Sequence, residues 1–266
     1  MLNQKHAPKV IAIVHNRHNK ILLILFVIMF LLYHIYDKVE SVMIEENVFF
    51  KEYQSYAALW CGGDMDATDL ARAAAIAVEK KLCAISVAPD SVGVVWPWLE
   101  NTMTQIMARF YFPDKDISDE QISNVTSRIN MAFKQGAHGA QVFLPMVALA
   151  GLVENVHIIR DDLFFDKTLE IGIDIGDVDA YDWAELFGNL QKINASSVLF
   201  VLTQDLGNKS DFVGRLYGML NAWDANNKFD LHFAFGPNFM RIEQTVRLIE
   251  SMRPELLNGV KFWFNC

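Results

Sequence analysis

One pattern constrains this chain more than any other: it recurs eight times from residue 57 onward. A short apolar or β-branched run ends near Gly, Pro or Asp, and a segment of helical period follows. The runs are Ala57–Cys61, Cys83–Val87, Gln105–Tyr111, Ala140–Leu144, Thr168–Ile175, Ser197–Leu202, Leu231–Phe235 and Val260–Phe264, starting roughly 22 to 35 residues apart. That spacing holds one strand, one helix and two turns. Continuous apolar runs are what parallel strands show when both faces of the sheet are covered. Eight such units predict an α/β fold, the closed (β/α)8 or TIM barrel, over residues 57–266. A doubly wound open sheet has fewer strands, and no Gly-x-Gly-x-x-Gly follows the first run. The eighth helix is missing, because Cys266 comes just after the eighth run. An apolar edge beside strand eight is therefore expected, covered by a protein partner or by self-association.

The helical segments carry their own signals. Thr68–Lys81 is Ala-rich, with an early Asp69 and two closing lysines that suit a helix C-terminus. Ile117–Gly136 opens on Ser118, Glu120 and Gln121 and ends on glycine. Phe239–Leu256 is amphipathic. Val92–Asn101 contains Pro97, which predicts a short or kinked helix.

Ahead of the repeats, Ile21–Tyr33 is a run of thirteen apolar or aromatic residues, and only His34 interrupts before Ile35 and Tyr36. Residues 21–36 as a helix rise about 24 Å, a little short of a roughly 30 Å hydrocarbon core, which they can still span if flanking side chains snorkel or the bilayer thins. No polar stripe marks a soluble helix, and no small-x-small cleavage site follows Tyr36. Lys5, Lys9, Arg17 and Lys20 precede the run, and Asp37, Glu40, Glu45 and Glu46 follow it. The expected organisation is a basic segment 1–20, a single transmembrane helix 21–36, a connector 37–56 and the barrel. The positive-inside rule places the N-terminus in the cytoplasm and the barrel on the non-cytoplasmic side.

Composition removes several classes. With 52% hydrophobic and 21% charged residues the chain is not disordered. Three cysteines exclude a disulfide framework, although Cys61 and Cys83 fall on adjacent strands and could pair in an oxidising compartment. A balance of 23 basic to 32 acidic residues, net −9, argues against a nucleic-acid surface. No cofactor motif is present.

Barrel chemistry belongs at the C-terminal ends of the strands. Those ends are rich in aspartate: Asp64, Asp174, Asp177 and Asp205 could supply oxygen ligands to a divalent cation, or simply cap the helices that follow. The histidines show no zinc spacing, so no metal is expected. Cys61 reads as a packed small residue before it reads as a nucleophile. Inside the barrel, period two puts Glu170, Gly172 and Asp174 on one face of strand five, and Lys261, Trp263 and Asn265 on one face of strand eight. Lys261 could pair with Glu170, and Arg109 could join them. The same lysine could instead form a Schiff base. The loop after strand seven, Gly236-Pro237-Asn238, has one glycine and a proline without an N–H, which argues against a phosphate site.

In order, Ala84-Ile-Ser-Val-Ala-Pro89, Phe112-Pro113, Ile129-Asn-Met-Ala-Phe-Lys-Gln-Gly136-Ala137 and Val142-Phe-Leu-Pro145-Met-Val-Ala-Leu149 resemble the motifs of deoxyribose-phosphate aldolase over residues 57–150. The second half is similar mainly in strand spacing. The resemblance implies a class I aldolase barrel whose lysine forms a Schiff base with a sugar phosphate. The family's catalytic positions do not carry over. Leu202 stands where the resemblance puts the strand-six Schiff-base lysine, and Ala234 where it puts the strand-seven lysine. Gln141 falls at the strand-four carboxylate, Leu59-Trp60-Cys61 at the strand-one Asp-x-Thr, and Glu170 at the strand-five lysine. Leu and Ala cannot form an imine, and Gln cannot shuttle a proton.

The leading expectation is a membrane-anchored, aldolase-like barrel that has lost class I catalysis and works as a binding or scaffold domain, without a cofactor. An active aldolase or lyase with a relocated lysine is the alternative, with Lys261, Asp174 and Glu170 as its residues. A metal-dependent hydrolase on the strand-end aspartates is the second.

Overall fold

A computed structural model describes residues 56–112, 117–154, 166–179, 181–202, 209–224, 226–234 and 239–265. Eight parallel strands close into one barrel in chain order, β1 pairing with β8. They are β1 Ala57–Trp60, β2 Ala84–Val87, β3 Gln105–Tyr111, β4 Gly139–Phe143, β5 Thr168–Asp174, β6 Ser197–Val201, β7 Asp230–Ala234 and β8 Lys261–Asn265. The expected TIM barrel is therefore present, each strand within a residue or two of its predicted bounds. The helices are α1 Ala67–Glu79, α2 Val92–Leu99, α3 Asp119–Lys134, α4 Leu149–Glu154, α5 Trp183–Ile193, α6 Lys209–Ala222 and α7 Phe239–Met252.

Local chemistry sets the helix ends. The Asp66 side chain accepts the N–H groups of Thr68 and Asp69, so α1 starts one residue earlier than its Ala-rich stretch suggests. Ser118 and Gln121 form a reciprocal capping box at α3. Pro97 sits inside α2, which ends two residues later at Leu99. Asn194 closes α5 in the left-handed conformation at φ 56°.

Each strand alternates between a helix-facing and a barrel-facing set. Ile85, Ile106, Val142, Ile171, Val198, Phe200 and Phe233 face the helices and are buried. Ala58, Ala84, Met107, Phe143, Leu199, Ala234 and Trp263 fill the barrel axis. Small residues stand where large ones cross. A Cβ on Gly139 would meet Met107 at 2.7 Å, so glycine there makes room for that side chain.

The expected cysteine pair is corrected, and the membrane helix falls outside these residues. Cys61 closes β1 at the mouth, whereas Cys83 precedes β2 at the opposite end, and no disulfide joins them. At the β8–β1 edge no helix follows β8 among the described residues, and outward-facing Phe262 there is 2% exposed and Leu59 9%. The membrane helix at 21–36 and its flanks lie outside the described residues. Among the described residues no helix is long and apolar enough to cross a membrane.

Candidate functional site

The barrel interior holds a buried polar layer. Glu170 on β5 is fully buried. Its Oε1 accepts from Gln141 Nε2 at 2.5 Å, and its Oε2 accepts from Ser197 Oγ at 2.8 Å and contacts His232 Nδ1. Gln141 Oε1 accepts from Ser86 Oγ at 2.5 Å, and Ser86 Oγ accepts from Arg109 Nη1 at 3.3 Å. The donors therefore all point one way. A cation at Arg109 is joined through a hydroxyl and an amide to an anion at Glu170, four strands linked by side chains alone. Such a chain polarises each bond in it. It also fixes the Gln141 amide, oxygen toward Ser86 and nitrogen toward the carboxylate.

Electrostatics follow from this packing. Burial by itself pushes the Glu170 carboxyl up. The His232 ring beside it, with the bonds from His232, Gln141 and Ser197, outweighs burial and holds it below the usual carboxylate range. On the far side of that ring, His232 Nε2 is buried without a hydrogen-bond partner among the described residues, as is Trp263 Nε1. Arg109 connects this layer to the strand ends. Its Nη2 donates to the Cys61 carbonyl at 2.5 Å, and its guanidinium lies 4.6 Å from the Trp60 ring centroid.

The mouth itself is aromatic. Trp60 meets Phe143 edge-on at 5.1 Å and Trp263 at 6.5 Å, and Phe143 stacks on Tyr111 at 5.1 Å. Gly172 on β5 allows this, since a Cβ there would stand 2.2 Å from the Phe143 ring. Val201 and Ala234 pair across β6 and β7 beside this cluster, and Asp174 pairs with Val201.

The residues singled out in the sequence are not brought together. Lys261 is the first residue of β8, at the end of the barrel opposite the mouth, and its Nζ donates to Gln105 Oε1 at 3.2 Å. It makes no ion pair with Glu170. The expected pairing is replaced because strand stagger sets Lys261 beside His232 of β7, and the carboxylate is already taken by three other groups. Arg109 does join Glu170, but through Ser86 and Gln141. Cys83, near Lys261, has its thiol pushed up to about 11 by burial, against the pull of the lysine charge. Asp174 accepts the Gly176 N–H at 2.8 Å and so caps the turn after β5. Among the described residues no three His, Cys, Asp or Glu side chains cluster as a metal would require; Asp205 lies outside them. Leu202 lies one residue beyond β6, and the inward-facing residue at that strand end is Val201. His232, Ser86 and Ser197 were the members of the polar layer that motif reading passed over. Their signal was a polar residue at an inward position of an otherwise apolar strand.

No protein-family model and no curated protein matches the chain. Solved structures do. A Coccidioides immitis protein assigned to the deoxyribose-phosphate aldolases superposes with a TM-score of 0.62 at 13% identity, over 79% of this chain and 80% of that one. The tetrameric deoxyribose phosphate aldolase of Aeropyrum pernix gives 0.60 at 10% identity, over 83% and 89%. A CutC-type copper homeostasis protein of Streptococcus agalactiae gives 0.56 at 9%, over 79% and 98%. At these identities the likeness is one of fold, and the fold is the aldolase barrel that the resemblance in the sequence implied.

Proposed function

We propose that this barrel is an aldolase-like binding or scaffold domain that has lost class I aldolase chemistry, held at a membrane by residues 21–36 with its N-terminus in the cytoplasm. One observation carries the reading. The inward positions at the described strand ends are Trp60, Ser86, Tyr111, Phe143, Asp174, Val201, Ala234 and Asn265, and the one lysine in a strand, Lys261, stands at the other end. An imine needs an uncharged amine within reach of a carbonyl in the mouth. Here the space an amine would use is taken by an aromatic cluster. The relocated-lysine alternative asks Lys261 to work beside a carboxylate, and its neighbour is the Gln105 amide instead. The anchor rests on the apolar run and on the charge asymmetry around it. A protein partner or second copy at the β8–β1 edge belongs to the same reading.

Borohydride trapping tests it. The full-length chain in detergent is incubated with acetaldehyde or a panel of sugar phosphates, reduced, and read by intact mass beside an active class I aldolase. No adduct is expected on this chain. A stoichiometric adduct mapped to a single lysine would overturn the proposal, and its loss in Lys261→Ala would install the relocated-lysine aldolase in its place.

A further inference from the structure

We infer that the base of the barrel, opposite the mouth, carries a binding site for a small aromatic anion, formed by Trp96, Phe133, Lys134, His138 and Lys167. These residues line an open surface depression of about 420 Å³. They come from α2, the end of α3 and the residues just before β4 and β5, so the site is independent of the mouth and of any reading of it.

Three features converge there. The first is unneutralised positive charge on an acidic protein. Lys134 and Lys167 make no ion pair among the described residues, although the chain has 32 acidic side chains against 23 basic ones. Lys134 lies in the last turn of α3 and offsets that helix's negative end. Lys167 has no such task. It is half-buried, and its described contact is the Phe133 ring at 5.8 Å.

The second feature is a fixed donor. His138 Nδ1 accepts the backbone N–H of Ile106 at 3.0 Å. A neutral ring bonded in that way must carry its proton on Nε2. Burial, and then the Lys167 charge, hold the His138 ring below its ordinary value, so the neutral donor form is the one present at neutral pH.

The third is an aromatic wall. Trp96 lies 6.0 Å from the His138 ring and packs over Gly136, whose φ of 108° leaves no room for a side chain: a Cβ would meet the Trp96 ring at 2.3 Å. Indole, phenyl and imidazole faces beside two ammonium groups suit a flat ring bearing a carboxylate. The ammonium is a point charge without a fork, so the site makes no demand for a bidentate oxyanion.

Equilibrium dialysis of the full-length chain in detergent, against a detergent-only control, reads this directly. The probes are benzoate, its uncharged analogue benzamide, and inorganic phosphate. Benzoate is expected to bind with a Kd of about 1 mM or tighter. Lys167→Ala should weaken it about tenfold, whereas Lys167→Arg, which keeps the charge, should not. Lys134→Ala, at an exposed position, gives a second charge deletion that leaves the fold intact. Benzamide and phosphate should bind at least tenfold more weakly. Equal binding of benzamide, equal binding of phosphate, or benzoate binding unchanged in both lysine-to-alanine variants would each overturn the assignment.

Discussion

Replacing Glu170 by alanine is expected to lower the unfolding free energy by about 3–5 kcal/mol, the range seen when one partner of a buried charged network is removed. The size follows from what is left behind. Gln141 Nε2, Ser197 Oγ and His232 Nδ1 would face a void, none of them with access to water. Arg109, at the far end of the same chain, would lose its balancing charge. Glu170→Gln keeps the volume and one acceptor and removes only the charge, so about 1–3 kcal/mol is expected. Urea unfolding followed by tryptophan fluorescence separates the two. A loss below about 1 kcal/mol for alanine would show that the layer fills space without holding the strands together. Acid should narrow the difference. The folded carboxyl sits below its ordinary value, so its stabilisation is complete above the unfolded value near pH 4.3 and is lost as pH falls through the folded one. The gap between wild type and Glu170→Gln should therefore shrink as pH drops below about 4. A gap that widened there would reverse the sign of the shift.

The same layer shows where a sequence stops being legible. That Glu170 and Lys261 face inward was readable, because period two is a property of each strand alone. Their height in the barrel was not. Height depends on the stagger between neighbouring strands, which is set by closure of the whole ring. The register pairs Glu170 with Ser197, Leu199 with His232, and His232 with Lys261, so Lys261 and Glu170 are two residues out of register. The expected Lys261–Glu170 pair fails for that reason, and His232 arrives at the carboxylate from two strands away. Strand positions were readable since burial on both faces leaves little but Val, Ile, Leu, Phe and Ala in them. Element ends moved by a residue or two where a side chain decided them, as Asp66 does for α1. The aromatic mouth was hidden for a different cause. Trp60, Tyr111, Phe143 and Trp263 are far apart in sequence, and only the absence of a side chain at Gly172 lets Phe143 lean across.

Gly172→Ala is expected to destabilise the barrel by about 1–3 kcal/mol, the range for overpacking, and to sit at the upper end of it. The added Cβ would stand 2.2 Å from Phe143 Cδ1 and Cε1, so the ring must move. Its ways out are closed by Trp60 at 5.1 Å on one side and Tyr111 at 5.1 Å on another. Phe143→Ala alone should cost about 3–5 kcal/mol, the range for a buried aromatic ring, since Phe143 is 9% exposed. The two changes should not add. With the ring gone, the new methyl occupies part of the vacated space, and Gly172→Ala becomes neutral or stabilising. A double-mutant cycle on the unfolding free energy should then give a coupling of about 2 kcal/mol in the favourable direction. Additive losses would mean that Gly172 is needed for its backbone and not for the room it leaves. The cycle also bears on function. Phe143→Ala clears the mouth above Val201 and Ala234 without adding an amine, so the double and single variants should be as silent to borohydride trapping as the wild type. Trapping that appeared only once the ring was removed would show that the aromatic cluster, and not the missing lysine, is what keeps this barrel from acting on a carbonyl.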